Sequence, residues 1–139
     1  MNENELTEKF IGAAIEVHKS LGPGLLESTY EQCLAGELDL RNIKFEMQKP
    51  LPVIYKGTKL DCGYKIDLLI EGKLIVELKS VEKIADVHIA QILTCMKLAK
   101  IRLGLLINFN VKLLKNGIQR FVSLPSHRIS EKLTRQLAA

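Results

Sequence analysis

The stretch GYKIDLLIEGKLIVELKS, from Gly63 to Ser80, constrains this chain more than any other. It reads as two strands joined at Glu71-Gly72-Lys73, yet Asp67, Glu77 and Lys79 interrupt a run of Leu, Ile and Val. Side chains of a strand alternate between two faces. A three-residue loop places Ile66, Leu68 and Ile70 on one face with Leu74, Val76 and Leu78, leaving Lys65, Asp67, Leu69, Ile75, Glu77 and Lys79 on the other. A two-residue loop would set a carboxylate on the apolar face, at a cost of several kcal/mol if unpaired. The odd loop is therefore expected, and it brings two carboxylates and an ammonium together.

Around this hairpin the pattern is that of one α/β domain on a mixed sheet, with elements in the order α-α-β-β-β-α-β-β over 139 residues. Leu6, Phe10, Ala13, Ala14, Val17 and Leu21 recur at helical spacing, so a helix is expected over 5–21. Gly22-Pro23-Gly24 ends it. A second helix follows over 25–40, striped by Leu26, Tyr30, Cys33, Leu34 and Leu38. FEMQKPLPVIY, KLDCGYKIDLLI and KLIVELKS read as strands, the first kept near a sheet edge by Pro50 and Pro52. A helix over 86–100 with Asp86 as N-cap, strands LGLLINF and IQRFVSL, and a short helical tail from about residue 126, capped by Ser130 and reaching Leu137, complete the expectation.

Composition narrows the function. No apolar run reaches the roughly 18 to 20 residues that span a bilayer, and the acidic MNENELTEKF lacks the features of an export signal, so a cytoplasmic protein without a membrane partner is expected. Cys33, Cys62 and Cys95 are too scattered for a zinc site and are expected to be reduced and packed in the core. The net charge of +4 conceals a gradient: residues 1–95 carry 11 Lys/Arg against 15 Asp/Glu, and 96–139 carry 9 against 1. The basic end either holds a polyanion or forms solvated faces. With 5% aromatic residues and no Trp, no base-stacking platform is expected.

The charged hairpin also has two readings. Two crowded carboxylates raise a pKa unless a cation lies between them, and a hard divalent ion bound by Asp67 and Glu77 answers that repulsion. Lys79 would then orient a water or stabilise charge on a phosphoryl group. The other reading is a structural carboxylate–lysine bridge on a solvated face.

Asp67, nine intervening positions, then Glu77-Leu78-Lys79 on adjacent strands resembles the PD-(D/E)XK nuclease superfamily. GLLESTY, with Gly24, Glu27 and Tyr30 in register, is similar to the motif of its small GxxExxY family. The resemblance runs from about Glu5 to Phe121 and implies a restriction-endonuclease-like core of helix, three strands, helix and strand. It implies Asp67 and Glu77 as metal-binding carboxylates for Mg²⁺ or Mn²⁺, Lys79 as the catalytic lysine and Glu27 as a further acidic residue at the metal. Gln91 resembles the glutamine that the helicase-associated exonuclease branch uses near its active site, with His88 one turn earlier. Ile66 stands where the superfamily has proline, and Cys95 where the exonuclease branch has tyrosine. The implied function is metal-dependent hydrolysis of nucleic-acid phosphodiester bonds, DNA favoured, by a metal-activated water. The alternative is a non-catalytic binding module for nucleic acid or protein that retains the fold. So small a domain has little surface for sequence recognition, and a second copy or a partner protein is expected to assist it.

Overall fold

The computed structural model of the chain describes residues 1–123 and the backbone of 134–137. Two helices open it, α1 (Glu3–Leu21) and α2 (Glu27–Leu40). The Asn2 side chain caps α1 by accepting from the Glu5 amide, which starts the helix three residues before the apolar stripe begins at Leu6. Gly22 and Gly24 both take positive φ at the corner, so glycine is needed there.

Strands β1 (Phe45–Tyr55), β2 (Thr58–Ile70) and β3 (Leu74–Lys79) follow as an antiparallel meander. Then α3 (Asp86–Ala99) crosses over to β4 (Leu103–Asn108), which pairs parallel with β3. A short 3-10 turn at Leu114–Gly117 leads to β5 (Ile118–Val122), antiparallel to β4. The sheet is thus mixed, in the order β1 to β5, with β1 at one edge. Along the other edge the backbone of Thr134–Leu137 pairs with β5 as β6, so these four residues are a strand where the sequence suggested a helical tail. An extended backbone opposite a bare edge gains ladder hydrogen bonds that an isolated short helix does not. Ser130 and the rest of 124–133 lie outside the described residues.

One sheet face packs on α1 and α2 through Leu68, Ile70, Leu74, Val76, Leu78, Leu105 and Ile107. The other packs on α3 through Leu69, Ile75 and Leu106 with Ile92, Cys95 and Met96. At Gly104 an added Cβ would lie 2.8 Å from the Met96 sulfur, so glycine lets α3 sit close on β4. The wholly buried β4, covered on both faces, explains its unbroken apolar sequence.

Three local expectations change. Asp86 is the first helical residue, and the cap is Ala85, whose amide is bonded by His88 Nδ1 at 2.9 Å. Leu26 and Cys33 of the expected α2 stripe are exposed, because Tyr30, Leu34 and Leu38 alone face the sheet. Cys62 is exposed as well, so only Cys95 is a core thiol; all three are free.

Candidate active site

The β2–β3 loop has the three residues that burial energetics select, with Ile70 opposite Leu74 and Leu68 opposite Val76. Glu71 and Gly72 take positive φ to close it. The paired register stops at Leu68–Val76. One step further on, Asp67 Oδ2 accepts from the Leu78 amide at 2.8 Å, a carboxylate standing in for a backbone acceptor. The two strands part there, and the gap is where the charged side chains collect.

Alternation fails at the same point. Leu68 and Met47 pack on the α1/α2 face, whereas Ile66 and Leu51 belong to the α3 face, although each pair differs by an even number of residues. Gln48, across from Asp67, has φ of 50°. Both strands therefore turn over at Gln48 and Asp67. Ile66 accordingly leaves the face expected for it. Such a backbone conformation costs a non-glycine residue on the order of 1 kcal/mol or more and is common at functional sites.

Glu77 extends from β3 toward α3 and is 8% exposed. Burial, then the Asp67 charge and a hydrogen bond between the two carboxyls, push it up to about 8, against the lowering influence of the Cys95 thiol and Lys79. Its Oε1 is buried without a hydrogen-bond partner among the described residues. Unsatisfied buried carboxylate oxygens are rare because each costs about 1–3 kcal/mol or more. Cys95, on α3, donates to the Lys65 carbonyl at 3.8 Å, and burial followed by the Glu77 charge pushes its thiol up to about 12. It is a neutral wall for the pocket.

The α2 side contributes two residues that sequence reasoning missed, Glu31 and Gln48. The Gln48 amide donates to Glu31 Oε2 at 2.8 Å and to Asp67 Oδ1 at 3.3 Å, tying helix to sheet. Desolvation, with smaller contributions from the Asp67 and Glu27 charges, raises the Glu31 pKa against that hydrogen bond. Glu27 lies one turn before Glu31, and this i, i+4 spacing was the available signal for Glu31. Gln48 carried no local signal.

The corner before α2 is fixed by Tyr30. Its hydroxyl donates to the Gly22 carbonyl at 2.5 Å and accepts from the Leu25 amide at 3.2 Å, while its ring stacks on Phe109 at 4.3 Å. Ser80, just past β3, donates to the Leu25 carbonyl. In the Gly24, Glu27, Tyr30 pattern, glycine and tyrosine therefore shape the corner, which leaves the glutamate free at the helix start. Beyond Lys79, the buried Asn108 accepts from the Val81 amide and donates to its carbonyl, fixing the chain that leaves β3.

The structure brings Asp67, Glu77 and Lys79 together, with Glu31 and Gln48 on the α2 side. Glu27 is exposed at the start of α2 and comes close to Glu31; Gln91 is exposed on α3, one turn before Cys95. His88 caps its own helix. Among the described residues no group of three or more His, Cys, Asp or Glu side chains is arranged to hold a metal ion. Asp67 and Glu77 nevertheless suit a hard divalent cation that keeps water and substrate oxygens in its shell, because the orphaned Glu77 oxygen needs a positive partner.

No match was found among curated proteins or among solved structures. A model of the PD-(D/E)XK nuclease superfamily matches residues 4–121. These residues run from α1 into β5 and include every residue of the carboxylate gap. With five-sixths of its length matched and an α/β core in the corresponding order, the chain belongs to the PD-(D/E)XK nuclease superfamily.

Proposed function

We propose that this chain hydrolyses phosphodiester bonds in nucleic acid, DNA in preference to RNA, with Mg²⁺ or Mn²⁺ held by Asp67 and Glu77. The observation that carries the reading is Glu77: a buried carboxylate oxygen without a partner among the described residues, pressed against Asp67 and followed by Lys79. Superfamily members generally use divalent metals, and this pair supplies the oxygen donors such an ion prefers. The ion would polarise a phosphoryl oxygen and lower the pKa of a bound water.

The chain's own groups take the remaining roles. Lys79 places an ammonium where charge develops on the phosphoryl group. The Leu78 amide and the Gln48 side chain fix the Asp67 carboxylate in direction. Glu27 is a further acidic residue at the mouth of the gap, and Gln91 an orienting amide on the α3 side. The Gly24-Glu27-Tyr30 pattern supports placement in the GxxExxY family, whose defining tyrosine here builds the corner. No helix is long and apolar enough to cross a membrane among the described residues, and a cytoplasmic setting suits reduced thiols at three positions.

A second reading, a binding module that keeps the fold without cleavage, draws on the lack of a three-ligand cluster among the described residues. Cleavage of plasmid, linear and single-stranded DNA by wild type beside Glu77→Ala, with Mg²⁺ or Mn²⁺ and with chelator, separates the two. Activity that needs the metal and Glu77 supports hydrolysis; equal activity in both proteins, or none in either, sinks it.

A further inference from the structure

Beyond Leu51, which still packs in the α3-side core, the outer part of the β1–β2 hairpin contributes no side chain to either core. Eight consecutive residues of β2, Thr58 to Lys65, are exposed on both faces, and opposite them Ile54 and Tyr55 are about 60% exposed. At about 3.3 Å per residue these eight reach ~26 Å. The result is a two-stranded ribbon that starts beside the carboxylate gap, since Lys65 lies two residues from Asp67 on the same strand.

Its side chains suit a polyanion. Lys56 in the turn, Lys59 and Lys65 share the stretch 56–65 with a single acidic residue, Asp61, whose carboxylate accepts from the Gly63 amide at 3.1 Å. None of the three lysines is in a salt bridge among the described residues. Lys59 and Lys65 pair with Ile54 and Pro50 on one face; Leu60 and Tyr64 pair with Val53 and Leu51 on the other. Tyr55, with Lys56 Nζ 5.4 Å from its ring centre, and Tyr64 are two of the chain's three tyrosines, and both are exposed. Tyrosine hydroxyls and lysines are among the groups that contact phosphate and sugar.

The basic C-terminal third is placed differently. Arg102 pairs with Glu3 at 3.5 Å and Arg120 donates to Asn4 at 2.8 Å, so both are tied to the start of α1. Along its β1 edge, pairing of the ribbon with a second copy is disfavoured, because Pro50 and Pro52 lack the amide hydrogens an added strand needs.

We propose that this ribbon lies in the major groove of duplex DNA, with Lys56, Lys59 and Lys65 on phosphates, and so holds the backbone at Asp67 and Glu77. The inference rests on the nuclease reading for its purpose. The B-form major groove admits a two-stranded ribbon, whereas the A-form major groove of duplex RNA is too narrow and deep. Its reach corresponds to about eight base pairs at 3.4 Å each, so duplex must extend about that far to one side of the cut.

The test is fluorescence anisotropy with labelled duplex DNA and the matching duplex RNA, several helical turns long, in chelator and over a range of salt. It uses wild type and the combined Lys56→Gln, Lys59→Gln, Lys65→Gln variant. Folding is checked by circular dichroism. Loss of three phosphate contacts lowers the slope of log affinity against log salt by about 2.7, and weakens DNA binding at least about tenfold at physiological salt. Unchanged affinity and slope in the variant would overturn the proposal, as would wild type that binds no duplex. Equal, equally arm-dependent binding of duplex RNA would overturn the groove assignment. A wild-type dimer in sedimentation velocity that the variant loses would assign the ribbon to self-association instead. Since binding is read without turnover, arm-dependent binding without cleavage would sink the nuclease reading alone. Cleavage with arm-independent binding would sink the arm alone.

Discussion

The two ends of β2 are made of one continuous strand and have opposite physics. From Ile66 to Ile70 the strand is covered by helices on both faces, and Asp67 is held there by the Leu78 amide and Gln48. From Thr58 to Lys65 it is bare on both faces, with cations that have no protein partner among the described residues. At the buried end electrostatic energy is concentrated, because few water molecules screen Asp67 and Glu77. At the exposed end each charge is weak in isolation and acts on a ligand only by addition. Substitutions should therefore act on chemistry and stability at one end and on binding alone at the other.

The largest expected effect is that of Lys79→Ala on cleavage. A loss of about a hundredfold or more is expected, with metal binding retained, because an ammonium is no ligand but stabilises transition-state charge. Metal binding and thermal midpoint must be measured on the same sample. A folded, metal-binding variant that cuts at the wild-type rate would remove the chemical distinction between the two ends.

Next comes Glu77→Gln in the absence of metal. Glu77 is raised from 4.5 to about 8 in the fold. The native state therefore holds a proton that the unfolded chain has released, and wild type loses stability as pH rises from about 4.5 through 8. The glutamine variant should lack that slope and be the more stable protein above pH 8, by on the order of a few kcal/mol. Parallel pH–stability curves for the two proteins in denaturant titrations would contradict the burial argument.

Millimolar Mn²⁺ should raise the unfolding midpoint of wild type, by ~2.7 kcal/mol of stability when the ion is at a hundred times its dissociation constant. Asp67→Asn should show little of this rise. An equal rise in both proteins would place the ion elsewhere, and the arm lysine variant should respond as wild type does.

The smallest effect sharpens the corner's role. Tyr30→Phe keeps the stack on Phe109 but removes the bonds to Gly22 and Leu25, so a loss of about 1–2 kcal/mol is expected by chemical denaturation. If cleavage falls much further than stability explains, the corner aims Glu27 as well as closing the fold.

Periodicity and turn chemistry are local properties, and they determined a good deal here. The helix stripes, the Gly-Pro-Gly corner, the edge position of a strand with two prolines and the odd β2–β3 loop follow from residues within one or two turns of each other. The demand to keep a carboxylate off an apolar face was enough to pair Asp67 with Glu77 and Lys79. Tertiary structure alone decided what surrounds them. The two-residue turn at Lys56-Gly57 would set Gln48 opposite Lys65, but β2 carries two more residues than β1 between the paired positions 60–64 and 51–53. That bulge, with Gly63 at φ of 78°, carries Gln48 across from Asp67. The turnover of both strands, the approach of Glu31 and Cys95, and the pairing of residues 134–137 with β5 likewise depend on partners far away in sequence. Their energies come from contacts that exist only once the sheet has formed, and no local pattern records them.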